Sequence, residues 1–329
     1  MILTNWTECL QVEPRDVQKQ EEPKPAELAP GAKHPWRGYF LVAGATFCWG
    51  AAATLGKAIF AERLFAGRPA ISPLVITQTR TTFAVLILLA WLLIKHGRPF
   101  FRITKRDLLL CVLIGTLGIA GSNYFYYVAI QKTTVPMAII LQYTAPIWVL
   151  LYMVTRGLQR PTVTRISAVF LGLIGTSLVV ELFRSGVRLN GEGVIAAQVA
   201  AFSFAFYIVA GQGLVSRNHQ LKVMTYALLS AAVMWLVVDP PWRLLAQNFS
   251  AGQWLFLFLF SCFSYLLPYI LYFSGLKYLD PTGAVVTSCL EPVFATLLSV
   301  TFLHEPIHGG QLLGFAAVLA ATIIVQRGK

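Results

Sequence analysis

Residues 107–155 read DLLLCVLIGTLGIAGSNYFYYVAIQKTTVPMAIILQYTAPIWVLLYMVT. Asp107 and Lys132 are the only charges, and the stretch falls into two apolar runs, 107–131 and 134–155. Each is long enough for the about 20 residues that cross a bilayer. Backbone groups in lipid must pair within their own segment, so each run is read as a helix. Working outward from Trp36 to the C-terminus, the same reading gives ten runs: 38–60, 72–94, 107–131, 134–155, 163–183, 191–215, 221–238, 252–277, 281–303 and 308–326. Gly, Pro and charge collect in the spacers. The run at 221–238 is short, and 107–131 is long enough to be tilted. The whole chain of 329 residues is 57% hydrophobic and 12% charged, against about 25% charged in soluble domains. The expected fold is an all-α integral membrane protein with ten transmembrane helices.

A repeat organises these runs. Tyr126-Tyr127-Val128-Ala129, Ala138, Gln142 and Pro146 return as Tyr272-Phe273-Ser274-Gly275, Ala284, Ser288 and Pro292, each pair 146 residues apart. Phe170-Leu171-Gly172 is echoed by Leu312-Leu313-Gly314 at a slightly shorter offset. Five spans per half is an odd number, so the second half enters the membrane upside down. Inverted repeats with helices broken at matched positions are a signature of secondary transporters. The division expected is a tail over 1–36, a first repeat over 37–184 and a second over 185–329.

The net charge of +12 would suggest nucleic acid on a soluble domain, but here the basic residues sit between apolar runs. With both termini inside and the long tail left out, thirteen Lys and Arg fall inside and six outside. The positive-inside rule therefore places both termini in the cytoplasm, and a bacterial inner membrane is the expected location. Residues 1 to about 35 are polar and Pro-rich, a composition that cannot bury enough surface to fold. Asn5, Thr7 and Glu8 interrupt the segment where a signal peptide needs an apolar core. Of Cys9, Cys48, Cys111, Cys262 and Cys289, four lie inside apolar runs, and no disulfide framework or metal pair is expected.

The chain resembles the EamA-type branch of the drug/metabolite transporter superfamily over roughly residues 38–327. The resemblance is carried by Phe47-Cys48-Trp49-Gly50, Arg80, Tyr124 to Ala129, Pro146, Gly172, Ala201-Phe202-Ser203-Phe204-Ala205, Glu291-Pro292, Leu303-His304-Glu305-Pro306 and Gly314. It implies ten spans, inverted five-helix halves, a central cavity and the carriage of amino acids or other small metabolites, often outward. Where that family tends to place a Glu before span 5, this chain has Leu158-Gln159-Arg160-Pro161, so only Glu305 keeps that role.

Intramembrane ionisable residues are expensive and mark function by default. Arg80 is about 12 Å into span 2 and Glu291 about 15 Å into span 9, at 1.5 Å per residue. Arg80 can hold a substrate anion, and Glu291 a substrate amine or a coupling proton. Alternatively the two pair with each other or with backbone carbonyls and fix the fold. Lys57 is close enough to the end of span 1 to snorkel. Pro146 and Pro292 each remove a mid-span hydrogen bond and free the carbonyls of Gln142 and Ser288. Such kinks are tolerated in buried or cavity-lining positions. Gln142, Tyr143 and Thr144 in one half and Thr287, Ser288 and Cys289 in the other are expected as paired cavity walls. Asn123, Tyr124, Tyr126 and Tyr127, and Tyr265, Tyr269 and Tyr272, crowd the ends of spans 3 and 8, and Trp49 and Gln78 fall at comparable depth. The aromatics alone would also fit an interfacial belt, which does not need the Asn123 amide.

His304-Glu305-Pro306-Ile307-His308 matches the H-E-x-x-H zinc pattern. That chemistry needs both histidines on one continuous helix, and Pro306 disfavours helix at Glu305. No metal, organic cofactor or covalent catalysis is expected, and no phosphate-binding loop for ATP is present. Asn248-Phe249-Ser250 is read as a chance glycosylation sequon. The reading is a secondary transporter, an exporter of a small polar metabolite such as an amino acid, working by alternating access. Its partners are the bilayer, the substrate, protons and a second copy of the chain, and not nucleic acid. The competing classes are an intramembrane metalloprotease built on His304 to His308, and a receptor or scaffold with a closed, dry centre.

Overall fold

A computed structural model describes residues 35–60, 73–133, 135–182, 190–304 and 306–327. The expected tail, and Glu305, lie outside the described residues. The described chain is helical: α1 (Pro35–Phe60), α2 (Pro73–His96), α3 (Lys105–Leu113), α4 (Gly121–Lys132), α5 (Val135–Gln142), α6 (Ala145–Thr155), α7 (Val163–Val179), α8 (Gly191–Val215), α9 (Gln220–Val238), α10 (Pro241–Leu245), α11 (Ala251–Ser261), α12 (Leu267–Gly275), α13 (Pro281–Ser288), α14 (Leu290–Leu303) and α15 (Gly309–Arg327). Four spans are composite. A π-helical stretch, Ile114–Ala120, joins α3 to α4, and another, Cys262–Leu266, joins α11 to α12. The chain turns without leaving the membrane between α5 and α6 and between α13 and α14.

Among the described residues nine helical stretches are long and apolar enough to cross a bilayer, and Val163–Val179 is a tenth, shorter one. The run expected over 163–183 stops early because Glu181 adopts a left-handed conformation, φ 52°, and turns the chain out of the helix. Polar caps set the other starts. Thr104, Thr162 and Asp280 accept the backbone N–H of Asp107, Arg165 and Gly283, and Ser250 makes a reciprocal box with Gln253.

The repeat runs deeper than the matched side chains. α3 and α11 begin at Lys105 and Ala251, the π-helical stretches end at Ala120 and Leu266, and α5 and α13 begin at Val135 and Pro281. Each pair is 146 residues apart, as are the starts of α7 and α15 at Val163 and Gly309. With five crossings per half, matched helices run in opposite directions.

The halves interlock rather than sit side by side. α1 packs on α12 and α14, α4 on α8, and α7 on α15. Two of these contacts need glycine. A methyl at Gly314 would lie 2.7 Å from the Gly175 carbonyl oxygen, and one at Gly50 would lie 2.8 Å from Ala295 N and 2.9 Å from the Glu291 carbonyl oxygen. Small residues that let backbones approach replace the hydrophobic drive that helices lack in lipid. Gly50 thereby brings α1 against the first turn of α14.

Candidate functional site

A cavity of about 1210 Å³ opens between the halves. Its far walls come from Val179 to Glu181 at the end of α7 and from Pro306 to Gln311 at the start of α15, and its depths reach α2, α4, α8, α12 and the break before α14. Of the residues expected in a site, Trp49, Arg80, Asn123, Tyr126, Tyr127, Gln142, Tyr143, Tyr269 and Glu291 line this one cavity, with Pro292 among them. The structure places three others elsewhere. Tyr272 and Ser288 are wholly buried: Tyr272 lies against Trp49 and Tyr207, ring centroids 5.4 and 6.1 Å away, and the Ser288 hydroxyl turns back to the Ala284 carbonyl at 3.1 Å. Pro146 is buried in the second position of α6. The side chain of Lys57 lies outside the described residues.

Arg80 and Glu291 are held separately. Arg80 Nη2 donates to the carbonyl of Ser264 at 2.9 Å, inside the second π-helical stretch. Its guanidinium lies 5.5 Å from the Phe260 ring and 5.1 Å from the Tyr265 ring, so two aromatic faces share the charge. The Nε of Arg80 has no acceptor among the described residues. Glu291 Oε2 instead accepts from the Tyr143 hydroxyl at 2.8 Å. The expected alternative of a mutual ion pair is therefore not the arrangement found, although the carbonyl partner foreseen for Arg80 is.

Between the two charges the wall is aromatic and amide. Trp49 meets Tyr269 at 5.6 Å, Tyr126 meets Tyr127 at 5.9 Å, and Phe204 meets Tyr207 at 5.2 Å. Gln142 Nε2 donates to Ser122 at 3.1 Å, and Asn123 Nδ2 to the Ile119 carbonyl at 2.7 Å. These rings line the same cavity as Arg80 and Glu291. Tyr207, Phe204, Thr296 and Ser299 also line the cavity and were not singled out from the sequence. Phe204 sits in the quoted Ala201-Phe202-Ser203-Phe204-Ala205 segment, where alternate helix faces could have flagged it.

The two ends of the bundle differ. At the end where α7 stops and α15 starts, beside the cavity, His308 Nδ1 lies 2.8 Å from Glu181 Oε1. At the opposite end Asp280 gathers its neighbours: Gln159 Nε2 donates to Asp280 Oδ2 at 3.0 Å, Thr282 donates to Gln159 Oε1 at 2.7 Å, and Arg165 Nη2 lies 3.4 Å from Asp280 Oδ2. Gln159 thus links Asp280 and Thr282 as a neutral donor and acceptor. Near it, burial first and then the charges of Lys277, His96 and Lys222 hold the His219 imidazole below its ordinary pKa.

His304 ends α14 in the left-handed region, φ 56°, and the chain leaves helix before His308. The two histidines therefore do not share a helix face. Among the described residues no three His, Cys, Asp or Glu side chains are grouped to hold a metal.

A family model described as the EamA-like transporter family matches residues 36–181 and 191–327. The chain is 29% identical over 254 residues to an uncharacterized transporter of Archaeoglobus fulgidus, covering 77% of this chain and 86% of that protein. It is 26% identical over 271 residues to the threonine/homoserine exporter RhtA of Escherichia coli K12, covering 82% and 85%. A solved crystal structure superposes with a TM-score of 0.70 over 88% of this chain and 96% of its own, at 18% identity, a likeness of fold.

Proposed function

We propose a function from one premise: this chain belongs to the EamA-like transporter family and is a multi-pass membrane transporter. The proposal is that it exports a small zwitterionic metabolite of the amino acid class by alternating access, with halves divided near residue 184 rocking about the cavity. Both termini lie in the cytoplasm, in keeping with the basic-residue bias, and a bacterial inner membrane is the proposed location. A second copy of the chain is a proposed partner.

The observation that carries this reading is the separation of Arg80 and Glu291 inside one cavity. A lone charge at the bilayer centre costs about 2.5–3.5 kcal/mol on insertion scales. Arg80 offsets part of that with one carbonyl and two ring faces, and its side chain lines the cavity. A guanidinium presents a planar fork that suits a carboxylate. The inward-facing tyrosine and tryptophan rings suit an ammonium or an apolar side chain. Glu291, bonded to a neutral phenol rather than to a cation, is proposed to carry a coupling proton. The threonine/homoserine exporters among the relatives support the substrate class and the direction.

Thermal unfolding of the purified protein tests it, because a ligand that binds only the folded state raises the midpoint. L-amino acids should raise it, and their decarboxylated amines should not. Arg80→Gln should abolish the shift. Stabilisation by the amines at equal strength, or by no amino acid at all, would overturn the assignment of Arg80. Stabilisation that survives in wild type but disappears in Glu291→Gln would move Glu291 from the proton to the substrate amine.

A further inference from the structure

We propose that Tyr143 is a positioning residue that carries the protonation state of Glu291 into the broken helix of the second half, by sharing one hydroxyl hydrogen between two acceptors. Its Oη lies 2.8 Å from Glu291 Oε2 and 3.2 Å from the Ser288 carbonyl oxygen. A phenol has one hydrogen to give. Ser288 is the residue whose carbonyl would accept from position 292 in an unbroken helix, and Pro292 has no N–H. Ser288 is wholly buried, so a carbonyl left without a donor there carries a real cost.

The two protonation states of Glu291 settle this competition differently. When Glu291 is ionised, the charge-assisted bond takes the Tyr143 hydrogen, and the Ser288 carbonyl is left without it. When Glu291 takes up a proton from the cavity, its carboxyl O–H donates to Tyr143 Oη, and the Tyr143 hydrogen passes to the Ser288 carbonyl. One proton enters from the cavity water and the same proton leaves on the return. The bond that changes is at the junction of α13 and α14, the two rigid pieces of the broken span. Tyr143 itself sits in the matching break between α5 and α6, so the switch links break to break across the halves.

The surroundings leave this pair to itself. The titratable groups facing Glu291 are Arg80 from α2, Tyr126 from α4, Tyr207 from α8 and Cys289 beside it. α1 carries Arg37 and Tyr39 in its first turns, Cys48 and, near its end, Lys57; α7 carries Arg165 at its far end; α15 carries no acid or base between Gly309 and Gln326. Among the described side chains none of these is hydrogen-bonded to Glu291. The inference rests on the reading of Glu291 as the proton-carrying group.

The test needs no substrate. Val300, in the cavity wall on α14, is replaced by Cys in a background with Cys9→Ser and Cys262→Ser, and its reaction rate with a polar maleimide is measured from pH 5 to 8. Rates are expressed relative to the Glu291→Gln version, which cancels the thiol's own titration. The parent's relative rate should change by about fivefold or more across the range, and Tyr143→Phe should flatten it. A Tyr143→Phe protein that keeps the parent's full change overturns the role of Tyr143 and leaves Glu291 standing. A parent with no change relative to Glu291→Gln removes Glu291 as the proton site, and this inference with it. Should Tyr143→Phe fail to fold, Glu291→Asp withdraws the carboxyl from Tyr143 by one methylene and keeps it titratable. It should also flatten the profile, and full retention there overturns the inference equally.

Discussion

The two broken spans of this transporter have the same Pro at the same offset and solve the same problem with different chemistry. At the first break the carbonyl one residue before the one that Pro146 frees, that of Leu141, accepts from the Thr144 hydroxyl at 2.6 Å and from Gln198 Nε2 at 3.3 Å, while Gln198 Oε1 accepts from the Trp148 indole at 3.3 Å. These partners of the Leu141 carbonyl are a hydroxyl, an amide and an indole, all neutral, and the Tyr143 phenol of the same break reaches across to the other half instead. At the second break the Ser288 carbonyl depends on Tyr143, which also serves Glu291. A repeat therefore supplies matched geometry, and one half can be specialised by placing an acid, Glu291, where the other has Ala145. The inert break holds shape whatever the pH; the acid break is the one able to respond.

The largest expected effect comes from removing the acid. Glu291→Gln in reconstituted vesicles should abolish accumulation driven by a pH gradient while exchange of internal for external substrate continues. L-threonine and L-homoserine are the first probes, and equal loss of both activities would place Glu291 on the substrate instead. Next is the brace beneath the acid break. Gly50→Val presses a branched side chain onto Ala295 N and the Glu291 carbonyl, and overpacking of this kind costs about 1–3 kcal/mol. Its unfolding midpoint should fall, and Gly50→Ala should fall less.

Gln198→Leu breaks the inert side. It leaves the Trp148 indole without its acceptor and removes one donor from Leu141, a cost of about 1–3 kcal/mol if fully buried and less at this partly exposed site. Stability should drop while the pH profile of the Val300→Cys reaction stays that of the parent. A changed profile would mean that both breaks respond, and the contrast between them would be lost. The smallest effect belongs to His304→Ala with His308→Ala. The Glu181–His308 pair is part-exposed, and such pairs contribute about 0–1 kcal/mol. Folding and transport should be nearly unchanged, and metal analysis before and after should show no stoichiometric zinc. Zinc that the double change removes would revive the H-E-x-x-H reading.

Much of this comparison could be read along the chain. Apolar runs near 20 residues long fix where the helices cross, because an unpaired backbone group in lipid is prohibitively costly. The 146-residue spacing of Pro146 and Pro292, and the depth of Arg80 and Glu291, follow from counting along those runs. Helix counting loses accuracy past a π-helical stretch, where the extra residue per turn rotates everything downstream. Tyr269 and Tyr272 follow Cys262–Leu266 directly, and counting put Tyr272 in the wall when it lies behind Trp49. Likewise, nothing local to Gln198 announces that it closes a break 57 residues earlier.

The sequence by itself determined the membrane class, the ten crossings, the repeat and the two places where a helix must break, since each follows from local backbone chemistry in an apolar solvent. Only the tertiary structure decided who answers each break. The partners of Glu291, Ser288 and Arg80 come from 148, 145 and 184 residues away. A hydrogen bond depends on direction and on about 3 Å of distance, and those are set by how the interlocked halves pack, not by position in the chain.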